Sequence, residues 1–204
     1  MPSADLYPDK VDFLKYLDQS NCSQCGVFSC EKFIEMMKNG TKTPQECRFL
    51  DKKMAYAFEL VLEIGKEWPE VPLLTHPRPG SVGLVELNRP GPNSLVLISG
   101  NNDYTEQVLM TVLGKTRSPF FVIFVNTDGN TVDMSLIYHT FTAERIYNAL
   151  KETGIEEKVS RRELLIPGFA YSLKEDVEKL TGWTVRVGPV CVAELPLFLF
   201  EDWI

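Results

Sequence analysis

The stretch Leu95-Val96-Leu97-Ile98-Ser99, then the helix-patterned segment Asp103 to Leu113, then Phe120-Phe121-Val122-Ile123-Phe124-Val125, decides the fold of this chain. A strand with one wet face alternates apolar and polar residues. A run that is apolar at nearly every position suits a strand buried on both faces, as in a parallel sheet covered by helices. The alternation of strand and helix continues downstream. Asp128-Gly129-Asn130 reads as a turn, and Ala143 to Glu152 as a helix ended by Gly154. Leu164-Leu165-Ile166 is a short strand, Leu173 to Leu180 a helix, Thr184 to Val187 a last strand and Val192 to Phe200 a last helix. This order predicts an α/β fold with a Rossmann-like, doubly wound, mostly parallel sheet. Ligands of such sheets bind at the carboxyl ends of the strands.

Upstream, six of the 13 prolines fall between Trp68 and Pro92, which forbids a long helix and predicts an extended linker with one strand at Val82 to Leu87. The earlier residues read as helices. Pro8 to Gln19 is one, and Phe28 to Met37, stopped by Asn39-Gly40, is a second. Thr43-Pro44 opens a third, which carries Cys47 and continues through Met54, Phe58 and Leu62 toward Gly65. The expected division is a small helical domain over 1–66, a proline-rich linker over 67–93 and the α/β domain over 94–204.

Four of the five cysteines, Cys22, Cys25, Cys30 and Cys47, follow a C-x2-C-x4-C-x16-C pattern within the helical part. Four thiolates are the usual ligand set of a [4Fe-4S] cluster. Structural zinc is the alternative, but it favours paired C-x2-C knuckles, and only one such pair is present. Gly26 suits a backbone that wraps close to inorganic sulfide, and Phe28, Met36 and Phe49 are expected to keep water off the cluster. Cys191, in an apolar stretch, reads as a small core residue.

Other chemistry is thin. The net charge of -7 and a pI near 5.0 argue against nucleic acid, whose phosphates require clustered Lys and Arg. Met1 to Leu6 has no basic n-region or apolar core of a signal peptide, and no apolar run reaches the roughly 18 residues of a membrane span, so a cytoplasmic location without a membrane partner is expected. Neither a GxGxxG nor a GxxxxGK[ST] phosphate loop occurs. His76 and His139 form no triad, no carboxylate pair stands out as acid and base, and no catalytic residue is assigned.

Together, Cys22-Ser23-Gln24-Cys25-Gly26 with Cys30 and Cys47 resembles the iron-sulfur domain of the large subunit of corrinoid iron-sulfur proteins, which work with carbon monoxide dehydrogenase/acetyl-CoA synthase. The second half is similar to the corrinoid-binding domain of the same subunit. The matching stretches are Ser99-Gly100-Asn101 with Thr105, Asp128 to Val132, Leu165-Ile166-Pro167-Gly168-Phe169-Ala170, and Gly182-Trp183-Thr184-Val185-Arg186-Val187-Gly188-Pro189. The barrel that separates the two domains in that family is absent between them here. The loop Asn102 to Gln107 is polar where the family's is apolar and aromatic.

The resemblance implies a [4Fe-4S] cluster on the four cysteines and a corrinoid (cobalamin) held by Ser99, Asn101, Thr105, Gly129, Thr131, Pro167 and Gly168. It implies a methyl and electron carrier that takes part in one-carbon transfer, or in reducing the corrinoid from Co(II) to Co(I). A protein partner, a methyltransferase or a reductase, would cover the other face of the cofactor. An electron-transfer or docking protein that carries the cluster and no corrinoid is the alternative.

Overall fold

A computed structural model describes residues 11–17, 23–70 and 77–203. At its centre is a five-stranded sheet of order β1-β3-β2-β4-β5. Strands β2 (Leu95–Gly100), β3 (Phe120–Val125), β4 (Glu163–Ile166) and β5 (Thr184–Val187) run parallel. Strand β1 (Gly83–Leu87), from the proline-rich segment, adds antiparallel to the β3 edge.

Side chains of a strand point alternately to its two faces, and this resolves the continuous apolar runs. Leu95, Leu97, Phe120, Val122 and Phe124 enter one apolar cluster, and Val96, Ile98, Phe121, Ile123 and Val125 enter another. The first cluster takes Leu109, Val112 and Leu113 from α3 (Asp103–Leu113). It also takes Phe58, Val61 and Ile64 from α2 (Lys52–Lys66), and Leu195, Leu197 and Leu199 from α8 (Leu195–Leu199). The second takes Ile146 and Leu150 from α5 (Ala143–Glu152), Val177 from α7 (Lys174–Thr181), and Trp183.

The link from β2 to β3 therefore passes over one face, and those from β3 to β4 and from β4 to β5 over the other. The chain switches faces between β2 and β4. There the short helix α4 (Val132–Ile137) packs on β2 and on the 3-10 turn Gly168–Leu173, while α6 (Ile155–Lys158) leads into β4.

Phe33 and Met37 of α1 (Cys30–Lys38) join the first cluster, as does Phe13, whose ring lies 5.2 Å from that of Phe58. Most elements lie where the sequence reading puts them; the departures have local causes. The helix expected from Thr43-Pro44 through Cys47 is interrupted. Glu46 reaches back to the Thr43 amide and closes a capping box within the single 3-10 turn Pro44–Glu46, and Cys47 is already extended. Helix α2 starts afresh where Asp51 caps the Met54 amide at 2.7 Å.

Helix α1 begins at Cys30, two residues later than expected, because Ser29 caps the Lys32 amide. Of Pro8 to Gln19 only residues 11–17 are described, with one 3-10 turn at Phe13–Tyr16. The last expected helix opens as a 3-10 turn, Val192–Glu194, before α8, because Pro196 has no N–H to donate to Val192.

Candidate cofactor sites

Cys25 ends a 3-10 turn, Ser23–Cys25, and Gly26 follows with φ +75, a left-handed conformation with nothing within 4 Å of a would-be Cβ. Cys30 is the first residue of α1, where the helix dipole favours an anion. Cys47 is 6% exposed, and Cys25 and Cys30 are half-buried against the same apolar cluster. All three are thiols. Cys22 lies outside the described residues, as does His76.

Among the described residues no three Cys, His, Asp or Glu side chains are gathered as a ligand set for one ion. The three described donors are chemically right for an iron-sulfur cluster and share one apolar neighbourhood, but among the described residues they are not drawn together as a cage. Two expected shields do not cover them. Phe28 is fully exposed and Phe49 is 47% exposed, whereas Val27 is the loop residue that packs on the core.

The second group sits at the carboxyl ends of β2, β3 and β4. Asn101 is buried, and its Oδ1 accepts from the Thr127 amide at 2.7 Å, from Thr127 Oγ1 at 3.0 Å and from the Gly129 amide at 3.2 Å. Asn102, fully buried, caps α3 by accepting from the amides of Tyr104 and Thr105, and its Nδ2 donates to the Gly129 carbonyl at 2.7 Å. Ser99 is buried at the end of β2, and Thr105 is half-buried in the first turn of α3.

Thr131 precedes α4 without a side-chain capping bond, and Pro167 precedes the Gly168 turn. Gly168 is required where it stands, since a Cβ would lie 2.6 Å from the Pro189 carbonyl carbon and the Val190 nitrogen. The fold thus brings Ser99, Asn101, Gly129, Thr131, Pro167 and Gly168 to one end of the sheet. The side chain of Asn101 and the backbone of Gly129 are spent on holding the loops together. Asn102, read only as part of a polar loop, and Thr127 complete that network and were not among the expected site residues; polar residues directly after apolar strand runs were the available signal. Ile137, Tyr138 and Tyr171 are exposed at 67%, 58% and 71% at α4 and the adjoining Gly168–Leu173 turn, and the charged side chains of Arg78 and Asp128 are exposed at the ends of β2 and β3.

Away from both groups, Cys191 is 1% exposed, and burial pushes its thiol up to about 11. This agrees with its reading as a core residue. Three residues on, the buried carboxylate of Glu194 accepts from Tyr16 Oη at 2.7 Å and pairs with Lys15. Burial and then that hydrogen bond hold the Tyr16 phenol well above its ordinary range. Among the described residues, no helix is long and apolar enough to cross a membrane.

Comparison with known proteins adds the rest. Residues 17–49 match the family model "Putative Fe-S cluster", a segment that holds all four patterned cysteines. The chain is 33% identical over 159 residues to an acetyl-CoA decarbonylase/synthase complex subunit gamma of Methanopyrus kandleri, covering 73% of this chain and 34% of that protein. The subunit of the same name from Archaeoglobus fulgidus is 34% identical over 135 residues, 66% of this chain and 28% of the relative. The corrinoid/iron-sulfur protein large subunit of Moorella thermoacetica is 32% identical over 121 residues, 59% and 26% respectively. The chain spans about a third or less of the length of these relatives. Residues 51–199, most of the chain, match the family model of the CO dehydrogenase/acetyl-CoA synthase delta subunit, and the chain belongs to that family.

Proposed function

We propose that this chain is an iron-sulfur and corrinoid protein that serves methyl transfer or corrinoid reduction within a complex of the acetyl-CoA decarbonylase/synthase type. One observation carries the reading: an iron-sulfur match over 17–49 and a delta-subunit match over 51–199 stand side by side in one chain. Residues 1–66 would serve as the cluster domain, 67–93 as the linker and 94–204 as the corrinoid domain. Cys22, Cys25, Cys30 and Cys47 would ligate the cluster.

The carboxyl-end loops suit a flat macrocycle rimmed with amides. The half-buried Thr105, Thr131 and Pro167 lie among backbone polar groups, beside the exposed rings of Tyr138 and Tyr171. When bound, the cluster supplies a low-potential electron, and the corrinoid supplies a cobalt that takes up and releases a methyl group. The chain's own part is to hold the loops in register through Asn101 and Thr127 and to present the exposed rings of Tyr138 and Tyr171 to a partner protein. The relatives' names, which speak of a complex, support such a partner.

The test is metal content after anaerobic purification. Iron and acid-labile sulfide near four per chain, with a broad absorbance near 400 nm bleached by dithionite, is the expected result. Stoichiometric zinc without iron refutes the cluster. Cobalt retained after incubation with cobinamide and desalting, with a candidate methyltransferase present, supports the corrinoid. No retained cobalt leaves the second reading, a cluster protein without corrinoid. That reading has an observation of its own: Asp103, Tyr104 and Glu106, in the first turn of α3 at the stretch that is apolar in the corrinoid family, are already engaged within the chain.

A further inference from the structure

What engages those residues is the linker. Arg78, Pro79 and Gly80 lie across the ends of β2 and β3 like a short added strand. The Arg78 amide donates to the Gly129 carbonyl at 2.8 Å, the Asp103 amide to the Arg78 carbonyl at 3.0 Å and the Gly80 amide to the Asn101 carbonyl at 2.6 Å, while Pro79 bridges antiparallel to Asn102. Side chains fasten the crossing on the α3 side. Arg78 Nε pairs with Asp103 at 2.8 Å, its Nη1 donates to Tyr104 Oη at 3.1 Å, and its guanidinium lies 5.0 Å from the centre of the Tyr104 ring. Both oxygens of Glu106 accept from Ser81, one from its amide and one from its hydroxyl, each at 2.8 Å.

The backbone fits too closely for anything to lie between. A Cβ on Gly129 would stand 2.5 Å from Pro79 N, and one on Gly80 would stand 2.7 Å from Glu106 Oε2 and 3.1 Å from Asp103 Cα. The crossing leaves Asn102 fully buried, and Asn101 and Gly129 buried beside it. Arg78 and Pro79 are themselves exposed, so no apolar burial holds the segment down. Directional bonds alone hold it, and such a closure opens when they are broken, without unfolding the sheet.

We propose that Arg78 to Ser81 is a latch: one cooperative closure that seals the carboxyl ends of β2 and β3 and is locked by Asp103 and Glu106. The polar first turn of α3 is its keeper. A ligand that comes to the backbone of Asn101 or Gly129 displaces the latch first, and any displacement loosens the linker that leads to the cysteine-bearing half. The same end of the sheet thus controls both access and the linker.

Amide hydrogen exchange on the full chain, resolved by residue and without added cofactor, tests this independently of any corrinoid. In the wild type, the Arg78, Gly80, Ser81 and Asp103 amides exchange far more slowly than free peptide. In the double variant Asp103→Asn/Glu106→Gln, the amides of Arg78 and Gly80, which touch neither altered carboxylate, quicken together by roughly tenfold or more, as when a hydrogen bond to a charged group is lost. The Thr127 and Gly129 amides beneath quicken with them. The Val185 amide of the far strand β5, which donates to the Glu178 side chain of α7, stays unchanged and reports that the packing of α7 on β5 is intact.

Arg78→Ala gives the same pattern from the other side of the pair. Free-peptide exchange at Arg78 and Gly80 in the wild type overturns the closure. Acceleration confined to Ser81 overturns its cooperativity, and unchanged Thr127 and Gly129 amides overturn the seal. Failure of cobinamide to bind bears on the corrinoid reading and leaves each of these results standing.

Discussion

Replacing Glu194 tests how the start of the chain is fastened to the rest. Glu194 is 3% exposed, and its carboxylate accepts from Tyr16 Oη at 2.7 Å across 178 residues of sequence. Glu194→Ala removes one hydrogen bond to a charged acceptor, worth about 1.5–3 kcal/mol. Loss of the buried stem adds about 0.8 kcal/mol for a methylene. Lys15 contributes little, because its side chain is 44% exposed and water takes it back. The sum is a loss of about 2–4 kcal/mol.

Glu194→Gln keeps an acceptor for the phenol and costs about 1 kcal/mol. Urea unfolding at pH 7, followed by tryptophan fluorescence, gives these values, and a cycle with Tyr16→Phe isolates the pair. Coupling of about 1 kcal/mol or more is expected. Additivity of the two single changes within about 0.3 kcal/mol, with both proteins folded, would refute the bond as a fastening.

Other tests reach the core. Phe58, fully buried against Phe13, should cost about 3–5 kcal/mol when changed to Ala, read as a lower urea midpoint; a loss under about 1 kcal/mol would contradict the shared cluster. Iodoacetamide at pH 8 should label Cys25 in the apoprotein while sparing Cys191, whose thiol near 11 leaves about one thiolate in a thousand, and unfolding in urea should equalise the two. Because the folded value of Cys191 lies above its ordinary 9, its contribution is whole below pH 9 and is lost as pH rises to about 11. Stability against pH should therefore fall less steeply over that window in Cys191→Ala; parallel curves would contradict the assignment. Gly168→Ala forces a backbone contact with Pro189 and should destabilise by about 1–3 kcal/mol in thermal melts.

The sequence is legible where a pattern is local and strong. The runs Leu95–Ser99 and Phe120–Val125 and the helix Asp103–Leu113 could be read because each owes its form to its own residues. The break at Cys47 was hidden because Thr43-Pro44 starts a short turn as readily as a helix, and Asp51 restarts the helix on one side-chain bond. The latch leaves almost no signature, because its bonds join groups more than twenty residues apart in the chain. Asn101 stood out as a polar residue at a strand end, but only its bonds to Thr127 and Gly129 assign its side chain to the protein itself. Cysteine spacing shows the donors; it does not show how they meet.

The packing limits how they can meet. Phe33 and Met37 sink α1 into the main cluster, so Cys30 at its head cannot shift without pulling them out. Cys47 is buried between the Pro44–Glu46 turn and the start of α2, which Phe58 and Ile64 anchor. Moving either would expose apolar area at about 25 cal/mol per Å2. The arm from Gln24 to Phe28 carries less of that cost: Phe28 is already in water, Gly26 stands clear of other atoms, and only Cys25 and Val27 rest, half-buried, on the core. Were the four thiolates to ligate one cluster, as proposed, Cys25 on that arm is the described donor that could approach Cys30 and Cys47 at the least loss of apolar burial. Proline cannot adopt the left-handed turn at Gly26, so Gly26→Pro should halt cluster assembly, measured as iron per chain, while leaving the unfolding free energy of the apoprotein, from urea titration, within about 1 kcal/mol of wild type. Full iron loading in that variant would place the movement elsewhere.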